Sequence, residues 1–489
     1  MPAVPYSLRT NTQYALTGGL VMGILALGRS FWVARALPPA AFGAWSVLQL
    51  VLLYGGSCHL GVAIALPNEM VAREARQDLD GSRELARSGC TLTLGLGAAF
   101  ALATLVLPRP LLGDTLAQYR CLFAMTFFSQ QLFMHVGSLL RGQMKFQRIA
   151  LAQTVFGAAS ILLMILLLPS MGVRGGLMAM LAANLAGTWV GAGVLRHYGC
   201  GRVPAAALRS LLAAGLPLLV TFLVGIGLQS IDRVLVGRML GQGPLGYYSV
   251  SNVFVMPVMF LPGVLGGLLM THFARTAVVA DARALRDDLL GFSWAVGVVL
   301  ALVTGFVFAT CGGLLRQFIP KYQASLPTVR ILLVGSYFYA STLALGNLLL
   351  ACKREVGLLW VQGVSMAILA GLCLLAILAR HSLEGVGWAN LLAYLGNFLL
   401  VVAFARRTMG WGWAYAGRLV GACLGPLAYM ALVCGLCRPL GQLWVARGIF
   451  TWACLLHLGA LTAASLPLVF ITLAWAPWRM PVPIGGSDG

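Results

Sequence analysis

The chain has 489 residues, 60% of them hydrophobic and 9% charged, with 33 Lys and Arg against 13 Asp and Glu and a formal charge of +20. A soluble domain carries roughly 25% charged residues and needs them to cover its surface. The composition therefore excludes a cytosolic enzyme, a nucleic-acid-binding domain and a secreted disulfide scaffold, and describes an all-α polytopic membrane protein.

A spanning helix needs about 20 mostly apolar residues. In chain order that requirement predicts fourteen: 12–34, 43–65, 89–107, 118–140, 149–169, 175–195, 211–236, 246–270, 290–312, 326–350, 356–379, 385–405, 419–437 and 448–475. The first ends at Ala34-Arg35-Ala36, which looks like a leader cleavage site. Its apolar run is too long for a leader and Arg29 interrupts it, so it reads as a retained span. Residues 108–117 and 438–447 read as short turns, and the longest polar loop, 67–88, has no room for a separate soluble domain. An even number of spans puts both termini on one side. Most basic residues, including Arg73, Arg76, Arg83 and Arg87 of the long loop, share that side, which the positive-inside rule makes the cytoplasm. The cysteines lie mostly in apolar runs, and Cys434 and Cys437 form a lone C-x-x-C with no accompanying ligand cluster, so no metal site and no cofactor are expected.

The chain repeats itself. Residues 33–47, VARALPPAAFGAWSV, align with 236–250, VGRMLGQGPLGYYSV, at an offset of 203; Arg35 meets Arg238, Leu37 meets Leu240, Gly43 meets Gly246, and Ser46-Val47 meet Ser249-Val250. KFQRIALAQ (145–153) faces REVGLLWVQ (354–362), and GGLMAMLAA (175–183) faces GVGWANLLA (385–393) at similar offsets. The expected organisation is two six-span lobes, 1–210 and 211–418, followed by an extra pair of spans and the tail, 419–489. An even number of spans per unit makes the lobes parallel, related by an axis along the membrane normal.

ARALPPAAFGAWSVLQ resembles the first outer loop of the Wzx-type polysaccharide and O-antigen flippases, as does DRVLVGRMLGQGPLGYYSVSN at the start of the second half. These are members of the MOP exporter superfamily, of which the lipid II flippase MurJ is a sister branch. The resemblance implies a MATE-like two-lobed fold in the bacterial cytoplasmic membrane. It also implies translocation of an oligosaccharide linked to undecaprenyl pyrophosphate from the cytoplasmic to the periplasmic leaflet, for cell-surface polysaccharide such as lipopolysaccharide or exopolysaccharide. Implied partners are that lipid-linked sugar, the bilayer, a polysaccharide polymerase and glycosyltransferases, with no nucleic acid. Neither the sugar nor the coupling ion follows from it.

A charge in the bilayer core costs at least about 2.5–3.5 kcal/mol on insertion scales. Arg29 lies some seven residues inside the first outer loop, roughly 10 Å deep at 1.5 Å per residue, and Asp232 and Arg233 lie at similar depth in the seventh span. Arginine presents a planar fork suited to phosphate oxygens. Arg29 and Arg233 are therefore the expected pyrophosphate ligands, with Arg120 and Arg330, nearer the outer ends of their spans, as further candidates. Sugar rings stack on aromatic faces and bond to amides. Helical phase nominates Trp45 and Gln49 on span 2, Gln131 and His135 on span 4, Gln229 on span 7, Tyr248 and Asn252 on span 8, and Tyr337 on span 10 as cavity-lining. Interhelical hydrogen bonding uses the same residue types and is the bland alternative. At the offset of 203 Asp232 occupies the repeat position of Arg29 and is expected to pair with it as a gate, to neutralise Arg233, or to carry a coupling proton.

No enzymatic constellation is evident: there is no Walker loop, and His59, His135 and His457 lack paired acids in sequence. The rival readings are a MATE-type cation-coupled drug exporter and a MurJ-like lipid II flippase. Exporters of cationic drugs need acids in the lumen, whereas the charge expected here is net basic.

Overall fold

The computed structural model describes residues 8–279, 282–439 and 452–475, and among them every element is helical. Two compact units divide at Val253 and Phe254. In the first, α1 (Leu8–Ala36) is followed by α2 (Pro39–Gly55), which runs into a 3₁₀ turn (Gly56–His59), then α3 (Val62–Ala75), α4 (Leu79–Val106), α5 (Arg109–Leu112), α6 (Asp114–Gly142), α7 (Phe146–Met171), α8 (Val173–Val190), α9 (Ala192–Tyr198), α10 (Ala205–Met239) and the start of α11 (Gln242–Val279). The second continues with α12 (Ala282–Phe318), a 3₁₀ turn (Pro320–Ser325), α13 (Leu326–Ser341), α14 (Leu343–Ala351), α15 (Glu355–Arg380), α16 (Leu383–Met409), α17 (Trp413–Leu436) and α18 (Trp452–Trp475).

Within the described residues the fourteen predicted segments are helical along most of their length, eleven on a single helix and three, 43–65, 175–195 and 326–350, with an interruption. Of those helices, nine are long and apolar enough to cross a membrane by length and composition, or ten if α8 and α9, bent by 63°, make one span. Residues 440–447 of the predicted turn at 438–447, and 448–451 of the last predicted span, lie outside the described residues. Large apolar side chains point outward, among them Trp189 and Val106 at 81% exposure, as lipid contact requires and water would penalise.

Two expectations are corrected. The polar loop 67–88 is a helical hairpin: α3 ends at Ala75, Asp78 caps α4 by accepting from the Gly81 N–H at 2.9 Å, and only three residues turn. Its polar residues conceal an apolar stripe, because Leu66, Met70, Leu85 and Ala86 are buried in one cluster with Val136, Leu139, Leu140 and Leu211. Predicted span 43–65 is broken. Leu60 and Gly61 both take positive φ, 52° and 80°, between the 3₁₀ turn and α3. The break is held from outside, since a Cβ on Gly61 would collide with the Gly215 carbonyl on α10 and one on Gly215 would lie 2.8 Å from the Gly61 carbonyl carbon. Predicted span 326–350 holds as one candidate span, Pro320–Ala351, in which α13 and α14 are interrupted only at Thr342.

The starts of α2 and α11 touch in a reciprocal way. A Cβ on Gly43 would strike the carbonyl oxygen of Gln242, and a Cβ on Gly246 would strike that of Pro39. Since 242 and 246 are 39 and 43 displaced by 203, the two contacts exchange under the sequence repeat. This is the pattern of an isologous twofold interface. Pro39 at the first position of α2 presets its entry, and the Gln242 amide donates to Thr115 Oγ1 at 2.6 Å, fixing the α11 start to α6.

Candidate functional site

Within the first unit lies a cavity of about 390 Å³ between α2, α6, α7, α8 and α10. Its apolar wall includes Leu53, Phe133, Met134, Phe156 and Met180, and its polar groups are Gln49, Gln130, Asn184 and Arg233. No acid is among its described lining residues. Asn184 is fixed by its amide donating to Ser129 Oγ at 3.2 Å, and the Gln130 amide reaches the Leu52 carbonyl at 3.4 Å.

The two deep arginines converge here. Arg233 lines the cavity; one guanidinium nitrogen donates to the Gln229 carbonyl at 3.2 Å, while Nε is buried and has no hydrogen-bond partner. Arg29, half-buried on α1, rests on two of the cavity's walls. Its guanidinium lies 5.8 Å from the Phe156 ring centroid and 3.6 Å from Met180 Sδ, and it donates a long 3.4 Å bond to Ser160 Oγ. No carboxylate is among these contacts. A half-buried cation held only by a ring, a thioether and a hydroxyl retains donors for an anion. Gln49 adds a buried amide nitrogen without a partner, and its repeat-mate Asn252 has one too.

Asp232, adjacent in sequence, faces away from this cavity. It is buried, accepts from the Tyr248 hydroxyl at 2.6 Å, and accepts from the Arg233 backbone N–H at 2.7 Å. The expected Arg29–Asp232 pair is not made in this conformation, since the contacts of Arg29 are to Ser160, Met180 and Phe156.

The remaining nominees sit elsewhere. Trp45 is buried with its ring where a Cβ on Gly176 of α8 would lie, 2.8 Å away. Tyr248 is fully buried on Asp232. Gln131 is buried and its amide reaches the carbonyls of Gly55 and Gly56 at 3.4 and 3.3 Å; His135 is buried one turn further on. Gln229 is exposed and bonds the Gly225 carbonyl. Arg120 is exposed near the start of α6. Tyr337 belongs to the second unit, fully buried, its hydroxyl donating to the Cys423 carbonyl at 2.6 Å and lying 3.2 Å from that of Gly297. Arg330 also lies in the second unit, on α13, over the Phe308 ring at 5.2 Å.

Gln130 and Asn184 were missed by the sequence reading. On α6 the polar stripe Gln131, His135 and Ser138 drew attention, but it packs inward, with Ser138 donating to the Ala63 carbonyl at 2.7 Å. The neighbouring face, with Gln130, Phe133 and Met134, looks into the cavity. Adjacent residues on a helix point about 100° apart, so the two faces are separated by one position.

The profile of the "Polysaccharide biosynthesis protein" family matches residues 32–300. A curated relative, the teichuronic acid biosynthesis protein TuaB of Bacillus subtilis (strain 168), is 25% identical over 174 residues, 35% of each chain. The chain thus matches about a third of that relative's length. The fold resembles the lipid II flippase MurJ in an inward closed conformation, with a TM-score of 0.71, 12% identity, and 94% and 98% of the two chains covered. It also resembles an inward-facing multidrug resistance MATE family transporter of the MOP superfamily, at 0.68, 14%, 82% and 98%, and a Vibrio cholerae MATE transporter at 0.61, 15%, 83% and 97%. At these identities the likeness is one of fold: a polytopic, all-helical, MATE-like membrane protein.

Proposed function

This chain belongs to the polysaccharide biosynthesis protein family, and from that premise we propose that it is a flippase carrying an undecaprenyl-pyrophosphate-linked oligosaccharide from the cytoplasmic to the periplasmic leaflet of a bacterial inner membrane. Both termini would be cytoplasmic, and fourteen spans in two six-span lobes plus a pair would form the transporter. The observation that carries the reading is the charge of the cavity. Arg233 lines it, Arg29 backs two of its walls, neither guanidinium has a carboxylate against it, and no acid is among the described lining residues.

Such a cavity attracts a phosphorylated amphiphile and repels a cationic drug. Arg29 and Arg233 would take the pyrophosphate, and the amides of Gln49, Gln130 and Asn184 would meet the proximal sugar. Occupation by a phosphate would satisfy donors that are otherwise buried without partners, so binding is favoured by the same desolvation that makes the empty site costly. An Arg29–Asp232 pairing at another stage of the cycle would have to replace the Tyr248–Asp232 bond. The glycosyltransferases that build the substrate and the polymerase that consumes it are the expected partners.

Deleting the gene should leave short lipid-linked intermediates on the inner leaflet and remove the surface polymer. Intact polymer with increased drug sensitivity would refute the flippase and favour a MATE-type exporter.

A further inference from the structure

The second unit holds a larger cleft, about 740 Å³, that the cavity above does not use. It is bounded by α12, α13, α17 and His457 of α18. Its body is apolar, with Phe308, Leu326, Val334, Leu427 and Met430. At one end the last turn of α12, the first of α13 and the residue pair after α17 bring together three arginines, Arg316, Arg330 and Arg438. No acidic residue is among the described residues that line the cleft. Arg330 lies against the Phe308 ring, and Gly312 leaves room beside it: a Cβ there would stand 3.7 Å from the guanidinium. At the opposite end Thr304 lines the cleft with a buried hydroxyl that has no hydrogen-bond partner.

The dimensions fit a lipid. Thr304 and Arg316 are twelve residues apart on one helix, about 18 Å at 1.5 Å per residue. One leaflet of the hydrocarbon core is about 15 Å deep. With Thr304 near the midplane, the arginines would stand at the level of the phosphate headgroups, and the apolar body would span the depth of the acyl chains beneath them. Three cations with no acid opposite repel one another unless an anion sits between them, and arginine is the side chain best shaped for phosphate oxygens.

We propose that this cleft is a binding site for an anionic phospholipid, its phosphate on Arg316, Arg330 and Arg438 and an acyl chain along α12 and α17. The site is separate from the cavity of the first unit, and the inference stands whether or not the transported substrate is a lipid-linked sugar. A bound lipid there would fill the cleft between α12, α13 and α17, so it would act as a structural ligand of the second unit.

The test uses the full-length protein purified in mild detergent, with native mass spectrometry for bound lipid and thermal melting as the second readout. Phosphatidylglycerol is expected to be retained and to raise the melting temperature, with an affinity about tenfold or more above that of phosphatidylcholine, since each arginine near a phosphate surface contributes to selectivity. The triple variant R316Q/R330Q/R438Q should lose that preference while melting as the wild type does in lipid-free detergent. Should the triple variant not accumulate, R330Q alone should reduce the preference several-fold. Ala309→Phe, which fills the apolar body, should weaken both lipids together. Equal binding of the two lipids, or a preference that survives the arginine variants, would overturn the proposal. So would displacement of phosphatidylglycerol by equimolar undecaprenyl phosphate, which would assign the cleft to the carrier lipid, or an equal thermal shift from inorganic phosphate, which would leave only an anion site.

Discussion

Replacing Gly43 with alanine puts a methyl group into the carbonyl oxygen of Gln242, and replacing Gly246 does the same to Pro39. The obstacle in both cases is backbone, which cannot rotate aside as a side chain can. Overpacking of this kind costs typically 1–3 kcal/mol, and alanine returns up to about 1 kcal/mol of helix propensity over glycine. At the upper figure of about 3 kcal/mol, which an unyielding backbone calls for, the net expected for either variant is about 2 kcal/mol, roughly 30-fold in the equilibrium constant. Because the contacts are reciprocal, one small separation of the α2 and α11 starts relieves both. The double variant should therefore cost little more than either single one, a strong departure from additivity. Gly243 is the control, lying one residue into the same helix with nothing within 4 Å of its would-be Cβ; Gly243→Ala should be neutral or slightly stabilising. Thermal melting of the four purified variants reads all of this. If Gly43→Ala melts with Gly243→Ala, or if the double variant loses the sum of the singles, the reciprocal contact does not hold this end of the unit together.

Arg29→Ala and Arg233→Ala should each abolish surface polymer while leaving the amount of protein in the membrane unchanged, read by polymer gels and immunoblots; full export by both would make these arginines structural. Tyr248→Phe removes the donor to the buried Asp232 carboxylate, and bonds to charged groups contribute about 1.5–3 kcal/mol. Its melting temperature should fall, and fall further than that of Asp232→Asn, which keeps an acceptor oxygen for the hydroxyl. The exchange Arg29→Asp with Asp232→Arg should recover export lost in each single variant if the two residues pair during the cycle, and no recovery would exclude the pairing. Gly61→Ala faces both a φ of 80° and the Gly215 carbonyl, so it should accumulate least of all the glycine variants by fluorescence-detected chromatography.

Much of this architecture is written along the chain. Partition into lipid depends on about 20 consecutive side chains, so helices were legible wherever apolar runs were long enough. The turn that recurs at an offset of 203 was legible as well, because a reciprocal contact needs the same turn twice, with a glycine at Gly43 and again at Gly246. The deep arginines stood out because isolated charge in an apolar run is costly.

What the chain could not display were events set by residues far away in sequence. The kink at Leu60 and Gly61 is seated against Gly215, some 150 positions on. The stretch 67–88 looked like a loop because its apolar stripe meets Leu139 and Leu211 only after folding. Polar residues in a bundle are either glue between helices or lining of a cavity, and both use the same side chains. Only packing turned Gln131, Tyr248 and Tyr337 into the first kind and Gln49, Gln130 and Asn184 into the second. The same holds for the arginines. Arg330 resembled Arg29 as a basic residue in an apolar run, but tertiary structure put it beside Arg316 and Arg438 in the second unit's cleft, while Arg29 came to rest on Phe156 and Met180 in the first. Hydropathy is a property of neighbours along the chain, and a binding site is a property of neighbours in space.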